Sequence, residues 1–259
     1  MEVIVIPDVH GRDFWRGPVM DNIDKDDTKI VFLGDYVDPY PHEWEERIED
    51  VRNKTIEMLE EIINLKSQYP DKITLLFGNH DATYLISKEI CQARTDYDNF
   101  QKLKEIYTNN KDKFLLGDEC HINDKHFIFT HAGISKAFVK TMFDNAFQIG
   151  GECTNEHNVI SRLNGFYQQI MNEAKEPYSE DDLFIQLLGL YSYYRGYTPY
   201  DFGSPIWADV REWGSQEFIG GYQVFGHTML KKPIITHDFA CLDCQECFKI
   251  DEKGDISKI

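Results

Sequence analysis

Five short apolar runs in this chain each break off into a polar block, and this arrangement restricts the folds open to it. "VIVI" (3–6) runs into "PDVHG", "KIVFL" (29–33) into "GDYVD", and "KITLLF" (72–77) into "GNHD". "HFIFT" (126–130) runs into "HAG", and "YQVF" (222–225) into "GHT". Apolar runs this short, closed by turn residues, read as buried strands. Their polar ends carry Asp8 and His10, Asp35 and Asp38, Asn79, His80 and Asp81, His131, and His227. In an open α/β sheet, side chains outside the carboxyl ends of strands sit on rigid supports and converge on a ligand. A set of carboxylate, amide oxygen and imidazole suits borderline divalent ions such as Mn²⁺, Fe²⁺ or Zn²⁺. Taken singly, an aspartate after a strand is a helix cap or a turn residue. The inference rests on the five blocks together.

The other segments complete an α/β pattern. Apolar residues recur at helical spacing from 43 to 66, through Trp44, Ile48, Val51, Thr55, Met58, Leu59, Ile62 and Ile63. A hairpin is expected at Asn123-Asp124, mostly helix from 134 to 195, a loop-rich stretch to 221, and β-structure from there on. Strand–helix alternation followed by hairpins implies mixed sheets covered by helices. With 259 residues, 42% of them hydrophobic, the expectation is one domain over 1–259 with a helical cap inserted at about 134–205.

Charge and cysteine use narrow the function classes. Asp and Glu number 45 against 27 Lys and Arg, a net charge of -18, which repels polyphosphate backbones and argues against broad nucleic-acid binding. A phosphorylated substrate stays compatible if bound cations reverse the field locally. No run approaches the length of a membrane span, and "VIVI" is too short for a signal-peptide core. Six cysteines without a secretion signal imply free thiols in a reducing compartment, so a cytoplasmic location is expected.

The blocks "DVHG", "GDYVD", "GNHD", "THAG" and "GHT", in this order from Asp8 to Thr228, resemble the five motifs of the calcineurin-like metallophosphoesterases. Within that superfamily they are most similar to the serine/threonine protein phosphatases and the symmetrical diadenosine tetraphosphatases. The resemblance implies a four-layer α/β/β/α sandwich of two mixed sheets and two divalent metal ions, with manganese expected and iron or zinc as alternatives. It implies Asp8 and His10 as ligands of the first ion, Asp35 as the bridge, and Asn79, His131 and His227 as ligands of the second. It also implies His80 as general acid and Asp38 as the carboxylate that orients it. The implied reaction is in-line attack of a metal-bridging hydroxide on a phosphomonoester or pyrophosphate-type bond, with His80 protonating the departing oxygen. Substrates of that kind are a phosphorylated small molecule, a dinucleoside polyphosphate or a phosphoprotein. A phosphodiesterase and a non-catalytic metal-binding scaffold are the rival readings. Many diesterases end the last block with a second histidine where this chain has Met229, and a scaffold needs no general acid.

The chain departs from the family it resembles at one informative place. Its members commonly keep a phosphate-gripping arginine directly after the second aspartate of "GDYVD", and here that residue is Pro39. Arg12, and Arg211 in "SPIWADVREW", are the candidates to replace it, with Arg195 a third. Two further features have plainer alternatives. Cys241, Cys244 and Cys247 in "CLDCQEC", with His237 or Cys153, have the spacing of a zinc or iron–sulfur site. The favoured reading is packed thiols on two strands joined by a tight turn. Tyr191, Tyr193, Tyr194, Tyr197 and Tyr200 either line a substrate groove or form the core of the cap.

Overall fold

Side-chain alternation along the strands decides which layers form. A computed structural model describes residues 1–85, 93–145, 158–173, 202–214 and 217–259. In β1 (Glu2–Ile6), Val3 and Val5 point to one face and Ile4 and Ile6 to the other, and all four are fully buried. The strand is therefore covered on both sides, as a parallel strand of an α/β protein must be.

β1, β2 (Thr28–Phe32), β3 (Ile73–Leu76) and β4 (Phe114–Leu115) run parallel. β10 (Phe248–Ile250) and β11 (Ile256–Lys258) extend them antiparallel, in the order β11-β10-β1-β2-β3-β4. The second sheet contains β5 (Gly117–Ile122), β6 (Lys125–Thr130), β7 (Tyr222–Phe225), β8 (Ile234–Ile235) and β9 (Phe239–Cys241), in the order β5-β6-β7-β9-β8. There β6, β7 and β9 are parallel and the two outer strands antiparallel. Val3, Val5, Val31, Leu33 and Leu76 meet Phe127, Phe129, Val224, Ala240 and Leu242 between the sheets.

The opposite face of the first sheet, with Ile4, Ile6, Ile30, Phe32 and Leu75, shares a core with α1 (Arg16–Met20), α2 (Ile48–Gln68) and α4 (Phe100–Asn109). α3 (Asn79–Thr83) follows β3 directly, and α5 (Lys136–Asn145) and α6 (Val159–Glu173) come later in the chain. The expected α/β sandwich of two mixed sheets is thus the observed architecture. Of the segment read as a cap, α6 packs into the main core: Asn164 accepts from Leu116 N and Gly117 N and donates to Gly117 O. Most of the rest of 134–205, including the five tyrosines, Arg195 and Cys153, lies outside the described residues.

Two expectations need correction. The long helix begins at Ile48, five residues later than its periodicity indicated, because residues 44 and 47 are extended and Glu43 is tied to Arg12 by two hydrogen bonds. "CLDCQEC" does not join two neighbouring strands by a tight turn. β9 belongs to the second sheet and β10 to the first, so the segment crosses between them. Its thiols point to separate partners, Cys241 to Gly226 O and Cys247 to Phe14 O. His237 is exposed beside Asp238. Burial pushes the Cys247 thiol up to about 12, as expected of a packed rather than a metal-binding sulfur.

Candidate active site

The polar ends of β1, β2, β3, β6 and β7 meet at one end of the sandwich. Bonds from backbone N–H groups hold the meeting point: His10 N donates to Asp35 O at 2.8 Å, Gly226 N to His131 O at 2.8 Å, and His227 N to the side-chain Oδ1 of Asp8 at 2.9 Å. Six non-glycine residues have positive φ among the described residues, and four of them are His10, Asp35, Asp38 and His227. Each such conformation costs on the order of 1–2 kcal/mol and survives only where its surroundings over-determine it. The concentration of this strain marks the strand ends as a functional site. Gly78 shows how tightly they approach, since a Cβ there would lie 2.0 Å from Asp35 Oδ1.

Backbone carbonyls set the tautomers of two histidines. His10 Nδ1 donates to Val37 O at 2.7 Å, and His131 Nδ1 to Leu33 O at 2.8 Å. Each Nε2 lone pair then faces inward, the orientation that second-shell carbonyls impose on metal-binding imidazoles. Both Nε2 atoms lie 3.5 Å from Asp35 Oδ2. His131 Nε2 is also 3.2 Å from Asn79 Oδ1 and 3.2 Å from His227 Nδ1. Two clusters result, His10–Asp35–His80 and Asp35–His131–His227, and they share Asp35. The first contains His80 where the sequence reading had put Asp8. The Asp8 carboxylate accepts instead from His227 N through both oxygens, at 2.9 and 3.2 Å.

The electrostatics describe a site built for added positive charge. Burial opposes ionisation of Asp35, but the imidazoles of His131, His80 and His10 outweigh it and hold its carboxyl well below the usual range. Burial also opposes charge on His131, but Asp35 and Asp8 raise it to about 9. Burial, reinforced by Asp35, pushes Asp8 up to about 6. Buried Asp243 is pushed well above the carboxylate range by desolvation and by Asp8. Protons are drawn to where acceptor atoms crowd. Ligand atoms about 2.1 Å from a divalent ion and 90–110° apart are about 3.0–3.4 Å from each other, close to the spacings around His131. The mixed donor set and its spacing therefore fit divalent cations.

His80 has a different wiring. Its Nδ1 donates to Asp38 Oδ2 and to Arg94 O, both at 2.9 Å, which leaves Nε2 for the cleft. Burial disfavours its charged form, but Asp35 and Asp38 together hold it above the usual histidine range. Asp38 is itself fixed: its Oδ1 accepts from Tyr84 OH and from Asp96 N.

Asp81, the last residue of "GNHD", was quoted in the motif without a role. Its carboxylate accepts from Asp35 N at 2.7 Å, Gly78 N at 2.8 Å, Tyr36 N at 3.0 Å and Tyr107 OH at 2.5 Å. It therefore stitches the loop after β2 to the loop after β3. Burial, and then Asp35, push it up to about 7. Asp81→Ala strands three buried N–H groups and a hydroxyl, at about 1–3 kcal/mol each. The expected loss is at least about 3 kcal/mol, a melting temperature lower by on the order of 10 °C. Asp81→Asn, which keeps the size and one acceptor oxygen, should lose less. A thermal melt of Asp81→Ala superimposable on wild type would remove the stitching role.

The two nominated arginines are both neutralised. Arg12 lies beside Asp8 O at 3.3 Å, but its Nε and Nη2 pair with Glu43 at 2.8 and 3.0 Å. Arg211 pairs with both oxygens of Asp209 at 2.8 Å, and its side chain is 60% exposed.

The calcineurin-like phosphoesterase family matches residues 1–230. The chain belongs to that family. A probable serine/threonine-protein phosphatase of Encephalitozoon cuniculi is 27% identical over 145 residues, which are 54% of this chain and 28% of that relative. The match thus spans little more than a quarter of the relative's length. The cold-active protein-tyrosine phosphatase of a psychrophilic Shewanella aligns over 99% of this chain and 80% of its own, at 17% identity and a TM-score of 0.59. A Saccharomyces cerevisiae protein serine/threonine phosphatase aligns over 100% of this chain and 79% of its own, at 12% identity and a TM-score of 0.53. At such identities the structures speak for the fold alone.

Asp243 was overlooked although a signal existed. β9 runs parallel to β7 and ends in "LD", a sixth apolar run with a polar end. No helix among the described residues is long and apolar enough to cross a membrane.

Proposed function

We propose that this chain is a phosphohydrolase working with two divalent cations, manganese first among them, on phosphomonoester or pyrophosphate-type bonds. The observation that carries the reading is Asp35, one carboxylate shared by two clusters of inward-facing imidazoles. In this reading Asp8, His10 and Asp35 hold one ion, and Asp35, Asn79, His131 and His227 hold the other. When bound, the ions neutralise phosphate charge and make water acidic enough to supply a nucleophile near neutral pH.

The residues of the chain do the rest. His80 carries a proton on Nε2 toward the cleft and delivers it to the leaving oxygen. Asp38 stabilises the imidazolium and aims it through the 2.9 Å bond to Nδ1. Tyr84 and Asp96 hold Asp38 in turn. A phosphoprotein is the first substrate to try, because the matched relative is named as a serine/threonine-protein phosphatase. The free thiols Cys120, Cys241, Cys244 and Cys247 support a reducing, cytoplasmic setting.

The test is hydrolysis by Mn²⁺-loaded protein of a phosphopeptide, a dinucleoside tetraphosphate, a chromogenic monoester and a chromogenic diester. Turnover of the monoester and of one of the first two, at least tenfold faster than of the diester, is expected. Preference for the diester would move the chain to the phosphodiesterases. Bound metal with no turnover of any of the four would leave a scaffold.

A further inference from the structure

Arg94 lies in none of the five motif blocks, yet it reaches the site. Its guanidinium carbon is 3.6 Å from the centroid of the Tyr40 ring, and Tyr40 in turn packs edge-on to His10 with centroids 5.0 Å apart. Nη2 donates to Asp38 O, and the Arg94 carbonyl accepts from His80 Nδ1. One residue therefore touches the backbone of Asp38 and the ring of His80, and lies one aromatic ring away from His10.

Among the described residues no carboxylate neutralises this cation. Arg12, Arg16, Arg52 and Arg211 all pair with carboxylates, whereas Arg94 has no carboxylate partner among the described residues. The carboxylate of Asp38, whose backbone carbonyl Arg94 touches, is already engaged by His80, Tyr84 and Asp96. Arg94 Nε is buried with no hydrogen-bond partner. An unmade bond to a buried N–H is costly, and more so for a charged donor. Stacking on Tyr40 fixes the plane of the fork but supplies no carboxylate to match its charge. A half-buried guanidinium kept in this state, beside the His80 ring in a chain of net charge -18, is set to receive an anion from solution.

We propose that Arg94 binds the non-reacting oxygens of the substrate phosphoryl group and presents its leaving oxygen to His80. The proposal rests on the phosphohydrolase reading above. Arg94 does the work that a residue at position 39 cannot do here, because Pro39 has no donor and Arg12 and Arg211 are paired within the protein. Carbonyl and guanidinium of the same residue would then set the proton donor and the phosphate in one frame.

The test is calorimetric titration of Mn²⁺-loaded protein with inorganic phosphate, for wild type, Arg94→Ala and Arg94→Lys, with metal content measured on each. We expect unchanged metal, phosphate affinity at least tenfold weaker in Arg94→Ala, and partial recovery in Arg94→Lys. On a substrate both variants turn over, KM rises more than kcat falls. Arg94→Ala that binds phosphate as wild type does, with only kcat reduced, would make Arg94 a prop for the Asp38 loop and overturn the proposal alone. Wild type that loads two ions and binds no phosphate would overturn it together with the phosphohydrolase reading.

Discussion

Asp35→Asn is expected to take the protein from about two bound divalent ions per chain to fewer than about one, at nearly unchanged shape. The substitution is almost isosteric, so packing does not predict the loss. The wiring does. Asp35 Oδ1 accepts from His80 N at 2.9 Å, an acceptor the asparagine oxygen reproduces. The amide nitrogen then falls where Oδ2 now sits, 3.5 Å from Nε2 of both His10 and His131. Without the Asp35 charge that raises His131, those nitrogens present lone pairs, since each Nδ1 proton is committed to a carbonyl. An NH₂ group satisfies them as a donor and occupies the space where a shared ligand is needed. The site also loses the one carboxylate held well below its usual range, and with it most of the fixed negative charge common to both clusters.

The measurement pairs elemental analysis with thermal melts at rising Mn²⁺. In wild type each occupied site adds about 2.7 kcal/mol at a hundredfold excess over Kd, so the melting temperature climbs with metal. In Asp35→Asn the climb should nearly vanish. Two ions per chain and a normal climb would exclude Asp35 as a shared ligand.

What a linear reading could reach here depended on how local each signal was. Buried parallel strands announce themselves in four or five consecutive residues, so the ends of β1, β2, β3, β6 and β7 were legible, and so was the sandwich they build. The start of α2 was misplaced because Glu43 answers to Arg12, thirty-one residues away, and not to helical periodicity. Asp81 looked like the tail of a motif, since its partners Asp35 N and Tyr36 N arrive from the next strand. Asp243 carried the same strand-end signal as the others and was masked by three cysteines. Arg94 had no local signal at all. It enters the site only because the segment from 93 to 96 folds back over Asp38, where Asp96 N meets its Oδ1. Arg12 and Arg211 were nominated for proximity to motifs, and pairing with Glu43 and Asp209 is a property of the fold alone.

His80→Ala separates two roles that geometry alone leaves side by side. His80 belongs to the cluster His10–Asp35–His80, so it could be read as a ligand. Its Nδ1, however, is spent on Asp38 and Arg94, and its ring is held above the usual range, a state that keeps a proton and disfavours a metal. A general acid contributes about 10²–10⁴ in rate, so turnover of a phosphoserine peptide should fall by that factor while metal content stays at the wild-type value. The loss should depend on the leaving group. A serine alkoxide is a poor leaving group and needs the proton, whereas nitrophenolate departs as a stable anion. Hydrolysis of a nitrophenyl phosphate should therefore fall far less than that of the peptide. Loss of an ion in His80→Ala would make the residue a ligand. Equal losses on both substrates with both ions retained would reduce it to a binding contact.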